Sequence, residues 1–87
     1  MQKLSFATYS ADGRIACYWA PKDSGDWAAD NAAGRAYAAE AIRHISAHDV
    51  TAVLGFILKA MVSRGEFGGM EVGFSQGLAQ SAISMGR

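Results

Sequence analysis

The strongest hydrophobic block in the chain is Val50–Val62, VTAVLGFILKAMV, in which Lys59 is the only charge. At helical spacing Val50, Val53, Leu54, Ile57, Leu58 and Met61 form one stripe, and Phe56, Ala60 and Val62 fill much of the remaining circumference. A helix apolar nearly all round is expected to be buried on several sides. This stretch, continued to Arg64, is therefore the expected core helix, Val50–Arg64, with Asp49 as its N-cap and Gly65 just past its end. It is too short to span a bilayer, which takes about 20 apolar residues.

Upstream, the apolar runs Leu4–Tyr9 and Ile15–Ala20 flank Ser10-Ala11-Asp12-Gly13-Arg14. Asp-Gly between two such runs signals a hairpin, because both positions tolerate positive φ. A two-residue turn at Asp12-Gly13 pairs Phe6 with Trp19, Thr8 with Cys17 and Ser10 with Ile15. Leu4, Phe6, Ile15, Cys17 and Trp19 then share the face turned to the core helix, while Ala7, Tyr9, Ala16 and Tyr18 face outward.

Pro21 ends the second strand, and Asp23 or Ser24 is the expected N-cap of a long alanine-rich helix, roughly Asp26–Ala47. One side of that helix carries Trp27, Gly34, Ala38, Ala41, Ile42 and Ile45. Its small middle admits close approach of the core helix. Glu40, Arg43 and His44 face away, and Tyr37 falls off the stripe. After Gly65 the pattern is ambiguous. Met70, Val72 and Phe74 alternate as in a strand, whereas Phe67, Met70, Phe74, Leu78, Ala82 and Met85 recur at helical spacing. The longer window favours a glycine-weakened helix, about Met70–Ser84. The resulting expectation is an α+β fold, an N-terminal antiparallel hairpin packed on a small three-helix layer, with 1–87 as one small domain.

Composition narrows function more than it defines it. With 87 residues the chain has little core to spare, and a partner or second copy would add stability. Eight acidic and eight basic residues give a formal charge of zero. That argues against binding nucleic acid by phosphate neutralisation, and leaves little repulsion between copies. A single cysteine, Cys17, allows neither an internal disulfide nor a CxxC metal or redox site. The start has no apolar run of signal-peptide length, and a cytoplasmic location without a membrane partner is expected.

Candidate chemistry is sparse. His44 and His48 lie one helical turn apart and are the weak candidates for a metal site, with Glu40 or Asp49 as an added oxygen ligand. No further histidine exists to close it. The residues between them lack the glutamate of a metalloprotease motif. Cys17 reads as a small core hydrophobe. Ser75 in GFSQG lacks the strand context of a nucleophile elbow, and Gly65–Gly69 lacks the lysine of a phosphate loop. The helix after Gly65 offers only Gln76 and Gln80 as base-reading side chains, which argues against a helix-turn-helix. Gly73 and Gly77 form a GxxxG spacing suited to a close helix contact, within the chain or between copies. No catalytic residue and no cofactor is expected.

What remains are aromatic residues of the kind that anchor interfaces: Tyr9 and Tyr18 on the outer hairpin face, Trp27 and Tyr37 on the first helix. The open edges of a two-stranded ribbon also invite strand addition. The alternative is that these side chains complete the protein's own core. A non-enzymatic protein-binding module is the function expected. In size and Ala/Gly-rich character the chain resembles phage or mobile-element inhibitors of bacterial machinery, including anti-CRISPR proteins, and that resemblance implies action by occluding a surface of a bacterial protein complex. A structural homo-oligomer or small adaptor, and a metal-dependent protein using His44 and His48, are the alternatives.

Overall fold

The computed structural model describes residues 4–65 and 67–85. Two strands, β1 (Thr8–Tyr9) and β2 (Ile15–Cys17), are followed by three helices, α1 (Trp27–His48), α2 (Ala52–Arg64) and α3 (Gly69–Met85). This is the expected α+β arrangement of an N-terminal antiparallel hairpin and three helices, and it resolves the ambiguity after Gly65 in favour of helix. The molecule is flat, 36 × 34 × 20 Å. Among the described residues, no helix is long and apolar enough to cross a membrane.

Thr8 pairs with Cys17 as expected, but Tyr9 pairs with Ile15, so the register slips between Thr8 and Tyr9. The cause lies in the turn. The Ser10 amide donates to the Arg14 carbonyl (2.8 Å) and the Gly13 amide to the Ser10 carbonyl (3.0 Å). Ala11, Asp12 and Gly13 thus form a three-residue loop with Gly13 alone at positive φ (87°), in place of a two-residue turn. The Asp12 carboxylate accepts from the Ser10 hydroxyl and the Arg14 amide. The Ser10 bond first, then that to Arg14, holds the Asp12 carboxyl below its ordinary range.

α1 starts later than expected. Its N-cap is Asp26, whose Oδ1 accepts from the amides of Ala28 (3.0 Å) and Ala29 (3.4 Å). Ser24 instead gives its amide and hydroxyl to buried Asp30, at 3.0 and 2.7 Å. At the far end Asp49 is the C-cap of α1, in the left-handed region at φ 53°, rather than the N-cap of the next helix. Thr51 fills that position and makes no side-chain cap hydrogen bond. Gly65 ends α2 at φ 77°, as its place in the sequence suggests.

The central pairing is α1 with α3, not α1 with the apolar helix α2. A Cβ on Gly77 would stand 2.6 Å from Ala38 Cβ, and one on Gly69 2.7 Å from the Trp27 carbonyl oxygen; Gly73 and Gly34 have no room at all, facing the carbonyls of Asn31 and Met70. Contacts ascend together along both helices (27 with 69, 31 with 73, 38 with 77), so α1 and α3 run parallel and α2 carries the chain back between them. Small residues at i, i+4 and i+8 let the two backbones touch, and the hydrogen-bonded ladders stay intact on both sides.

Over this pair lies the hairpin. Phe6 and Trp19 are buried and meet Phe74 and Tyr37 in one aromatic cluster, with ring centroids 4.9 Å apart for Trp19–Phe74, 5.3 Å for Phe6–Trp19 and 5.4 Å for Phe6–Tyr37. Edge-on and tilted geometries of this kind add to the area they bury. Leu4, Ala38, Ala41, Ile57, Met61 and Met70 complete the core.

Two expectations about burial are overturned. The segment Val50–Arg64 is not a central helix: α2 fully buries only Ile57 and Met61, because α3 has taken the small face of α1. Trp27 does not cap an inner stripe: its indole lies beside Gly69, whose missing side chain covers little of it, and the residue is 59% exposed.

Gly73→Ala is expected to lower stability by about 3 kcal/mol or more, because a methyl against a carbonyl forces the helices apart. Gly55, in the middle of α2, has open space around its Cβ position, and Gly55→Ala should raise stability by about 0.5–1 kcal/mol. Urea midpoints of both variants check the pair of signs.

Candidate functional site

Where the hairpin passes α2, a groove of about 520 Å³ opens between Ile15–Trp19 on one wall and Phe56, Lys59, Ala60, Ser63 and Arg64 on the other. Its apolar character follows from the two elements that build it. Contrary to the expected hairpin faces, Ala7 and Tyr18 pack against the core, while Ile15 and Cys17, both half-buried, line the groove. α2 buries Ile57 and Met61 and leaves Phe56 half exposed beside the hairpin. Tyr18 lies against Phe56 with ring centroids 5.3 Å apart and helps to line the groove.

Near one end of the groove lies a polar cluster that ties three elements together. Glu71, in the first turn of α3, is 2% exposed. Its Oε1 accepts from the Gly68 amide and its Oε2 from the Trp19 indole N–H, each at 2.8 Å. Arg64, at the end of α2, places Nη1 3.8 Å from Glu71 Oε2 and Nη2 3.6 Å from Asp23 Oδ2. Neither distance is a hydrogen bond, and Nη1 is buried without a hydrogen-bond partner. A carboxylate in such a place is stable only because both oxygens are engaged and a guanidinium stands beside it.

Half of this cluster is legible in the sequence pattern. Gly68 and Glu71 have the spacing of a capping box, in which a glutamate three residues into a helix reaches back to the N-cap amide. Trp19 on a core-facing strand position also needs a partner for its indole N–H. Nothing local connects those two requirements, because Trp19 and Glu71 lie 52 positions apart. Arg64, Lys59 and Phe56 were likewise not singled out as site residues.

The four aromatic candidates are dispersed. Tyr18 lies in the groove. Tyr9 is half-buried, and its hydroxyl accepts from the Leu4 amide at 2.9 Å. Tyr37 is half-buried against Phe6 and Trp19, so it belongs to the core cluster. Trp27 stands exposed at the start of α1, beside Gly69. They do not form one patch around Tyr18.

His44 and His48 stack with ring centroids 4.7 Å apart. Among the described residues, no third cysteine, histidine or acidic side chain joins them or any other group of potential metal ligands. The Cys17 thiol donates to the Trp19 carbonyl at 3.4 Å, and the Ser75 hydroxyl donates to the Glu71 carbonyl at 3.0 Å within its own helix. Gly73 and Gly77 are spent inside the molecule, on α1. A second hollow, about 510 Å³, lies over Asn31, Arg35, Gln76, Gln80 and Ile83. Its Gln76 is held by Asn31 Nδ2 at 2.9 Å.

Compared with protein-family models, with curated proteins and with solved structures, the chain matches none of them.

Two substitutions test the polar contacts. Glu71→Gln keeps the shape but gives up one acceptor oxygen and the charge facing Arg64, and should cost about 2 kcal/mol. A urea melt read at far-UV wavelengths checks it. Asp30 behaves as a titrating staple. The Ser24 amide, and after it the Ser24 hydroxyl, hold its carboxyl below the ordinary value of 3.8, against the opposing effect of burial. A carboxyl with a folded pKa below its unfolded one stabilises above the unfolded value and loses that contribution as pH falls through the folded value. Asp30→Asn should therefore lower Tm at neutral pH and flatten the decline of Tm below about pH 4. Thermal melts of both proteins across that range decide the matter.

Proposed function

We propose that the chain is a non-enzymatic protein-binding module that presents the α2 side of the molecule, groove included, to a partner. The observation that carries this reading is the placement of α2. The most apolar segment of the sequence leaves Phe56 50%, Leu58 38% and Val62 75% exposed. Lys59 and Arg64 are the only charged residues along it. Leu58 and Val62, one turn apart, share one side of α2, and Phe56 stands at the groove on another. A small domain with little apolar surface to spare leaves such side chains outside at a cost in stability, and large apolar side chains left exposed mark an interaction surface. The carboxylates that the fold brings together are engaged in holding it, Glu71 by Gly68 and Trp19, Asp30 by Ser24 and Asp12 by Ser10, which supports the same reading.

In its sharper form the module is an inhibitor that occludes a surface of a bacterial complex, as its size and composition suggest. Within that reading Tyr18 and Phe56 are contact residues and Val62 lies on the same helix. Tyr37 supports the core. Tyr9, bonded to Leu4, and exposed Trp27 lie outside the groove.

The test is capture from bacterial extract on immobilised protein, identification of the captured component by mass, and reconstitution of the pair from purified parts. Val62→Asp and Phe56→Asp should each weaken that pair by about ten-fold or more, the size of a lost interface anchor. A reconstituted pair indifferent to both variants overturns the reading. So does a chain that forms a stable dimer through α2 and binds nothing else.

A further inference from the structure

We propose that the groove between β2 and α2 takes an extended peptide segment, which adds a strand to the free edge of β2 and carries apolar side chains alternating with acidic ones. This names the partner chemistry for the protein-binding reading above and rests on it.

The shape of the groove gives the first argument. A cavity wall formed by the face of a strand touches every second residue, because successive side chains point to opposite sides. This wall touches all three residues of β2 in succession, Ile15, Ala16 and Cys17, so it runs along the edge of the strand and not over its face. β2 has β1 as its only sheet neighbour among the described residues. Its other edge presents amide and carbonyl groups that a further strand can pair with. The two residue steps of β2 at about 3.3 Å give an edge about 7 Å long, and the wall continues through Tyr18 and Trp19 where the chain bends.

The opposite wall sets what side chains such a strand would carry. Phe56 and Ala60 of α2, with Tyr18 of the hairpin, offer apolar surface to every second side chain of an added strand. The charges in the groove have one sign. Lys59 and Arg64 line it and, among the described residues, no acidic one does. Lys59 is exposed and has no ion-pair partner among the described residues. The Arg64 guanidinium is near two carboxylates but bonded to neither, with one N–H group still unmatched. Asp23 and Glu71 offset the Arg64 charge and its unmatched Nη1 is buried, so Lys59 is the cation left to meet a peptide carboxylate, and a basic side chain there would meet repulsion. The second hollow offers no comparable case, because its central polar group is already paired within the protein.

The experiment is selection of a displayed library of random peptides, long enough to contain a strand, on the immobilised full chain, followed by synthesis of the enriched class with a fluorescent label. The enriched peptides should alternate Val, Ile or Phe with Asp or Glu. N-methylation of alternate amides should abolish binding when it falls on the edge facing β2 and leave it intact on the other edge. Lys59→Glu should weaken binding about ten-fold and shift selection towards basic peptides, and Phe56→Ser should weaken binding to a similar degree; both sites are exposed, and circular dichroism checks that each variant is folded.

Peptides of helical period, or binding indifferent to N-methylation and to Lys59→Glu, overturn the strand-addition site. The broader protein-binding reading survives that result if those peptides still respond to Val62→Asp. A library that yields no enriched class also overturns the strand-addition site, and if the extract yields no partner either, both readings fall together.

Discussion

The backbone-to-backbone contact of α1 with α3 is the constraint on which the remaining structure depends. Gly34 on one helix and Gly69, Gly73 and Gly77 on the other remove the side chains that would hold the axes apart. Once the two helices touch, large side chains can pack only at the borders of the contact. Phe74, Met70 and Tyr37 project there, and the hairpin settles on them through Phe6 and Trp19. The polar pair Asn31–Gln76 sits within the same contact, a buried amide satisfied by its neighbour helix. Close packing of this kind tolerates no added methyl, so specificity comes from absent atoms as much as from present ones.

The hairpin has very few ladder hydrogen bonds, and a two-stranded ribbon does not hold itself together in water. Two tertiary devices compensate. One is the aromatic cluster. The other is the Trp19 indole bonded to buried Glu71, which joins the end of the hairpin to the start of α3 and, through Arg64, to the end of α2. Because Glu71 also caps its own helix through Gly68, one carboxylate serves local and long-range order together. Its burial is tolerable because each oxygen has a donor.

α2 occupies the position left over. With α3 seated in the small face of α1, the apolar helix meets α1 only slightly and covers the flank of the hairpin with Phe56 and the core with Ile57 and Met61. The remainder of its apolar surface faces outward, and the groove beside β2 exists because α2 stands off from the ribbon. Functional potential therefore arises on the element that the packing uses least.

Local rules were sufficient for the elements of this protein and insufficient for their partners. Period-2 and period-3.6 patterns, the Asp-Gly turn, Pro21 and Gly65 determined a hairpin and three helices close to their observed limits, and the Thr8–Cys17 pairing with them. The small stripe Gly34, Ala38, Ala41 was legible as a site of close approach. Which helix would enter it was not. Apolar content pointed to Val50–Arg64, yet the fit required a second row of small residues at i, i+4 and i+8, and only α3 carries one. Hydrophobicity says how strongly a segment avoids water, whereas helix pairing depends on how near two backbones can come. The candidate site shows the same division. Tyr18 was placed on the outer face of the hairpin by its alternation, yet it lies past the end of β2 and packs against the core at the edge of the groove. Phe56, Lys59, Arg64 and the buried Glu71 acquired their places only when residues up to 52 positions apart were brought together, a separation over which sequence periodicity carries no information and only tertiary packing decides.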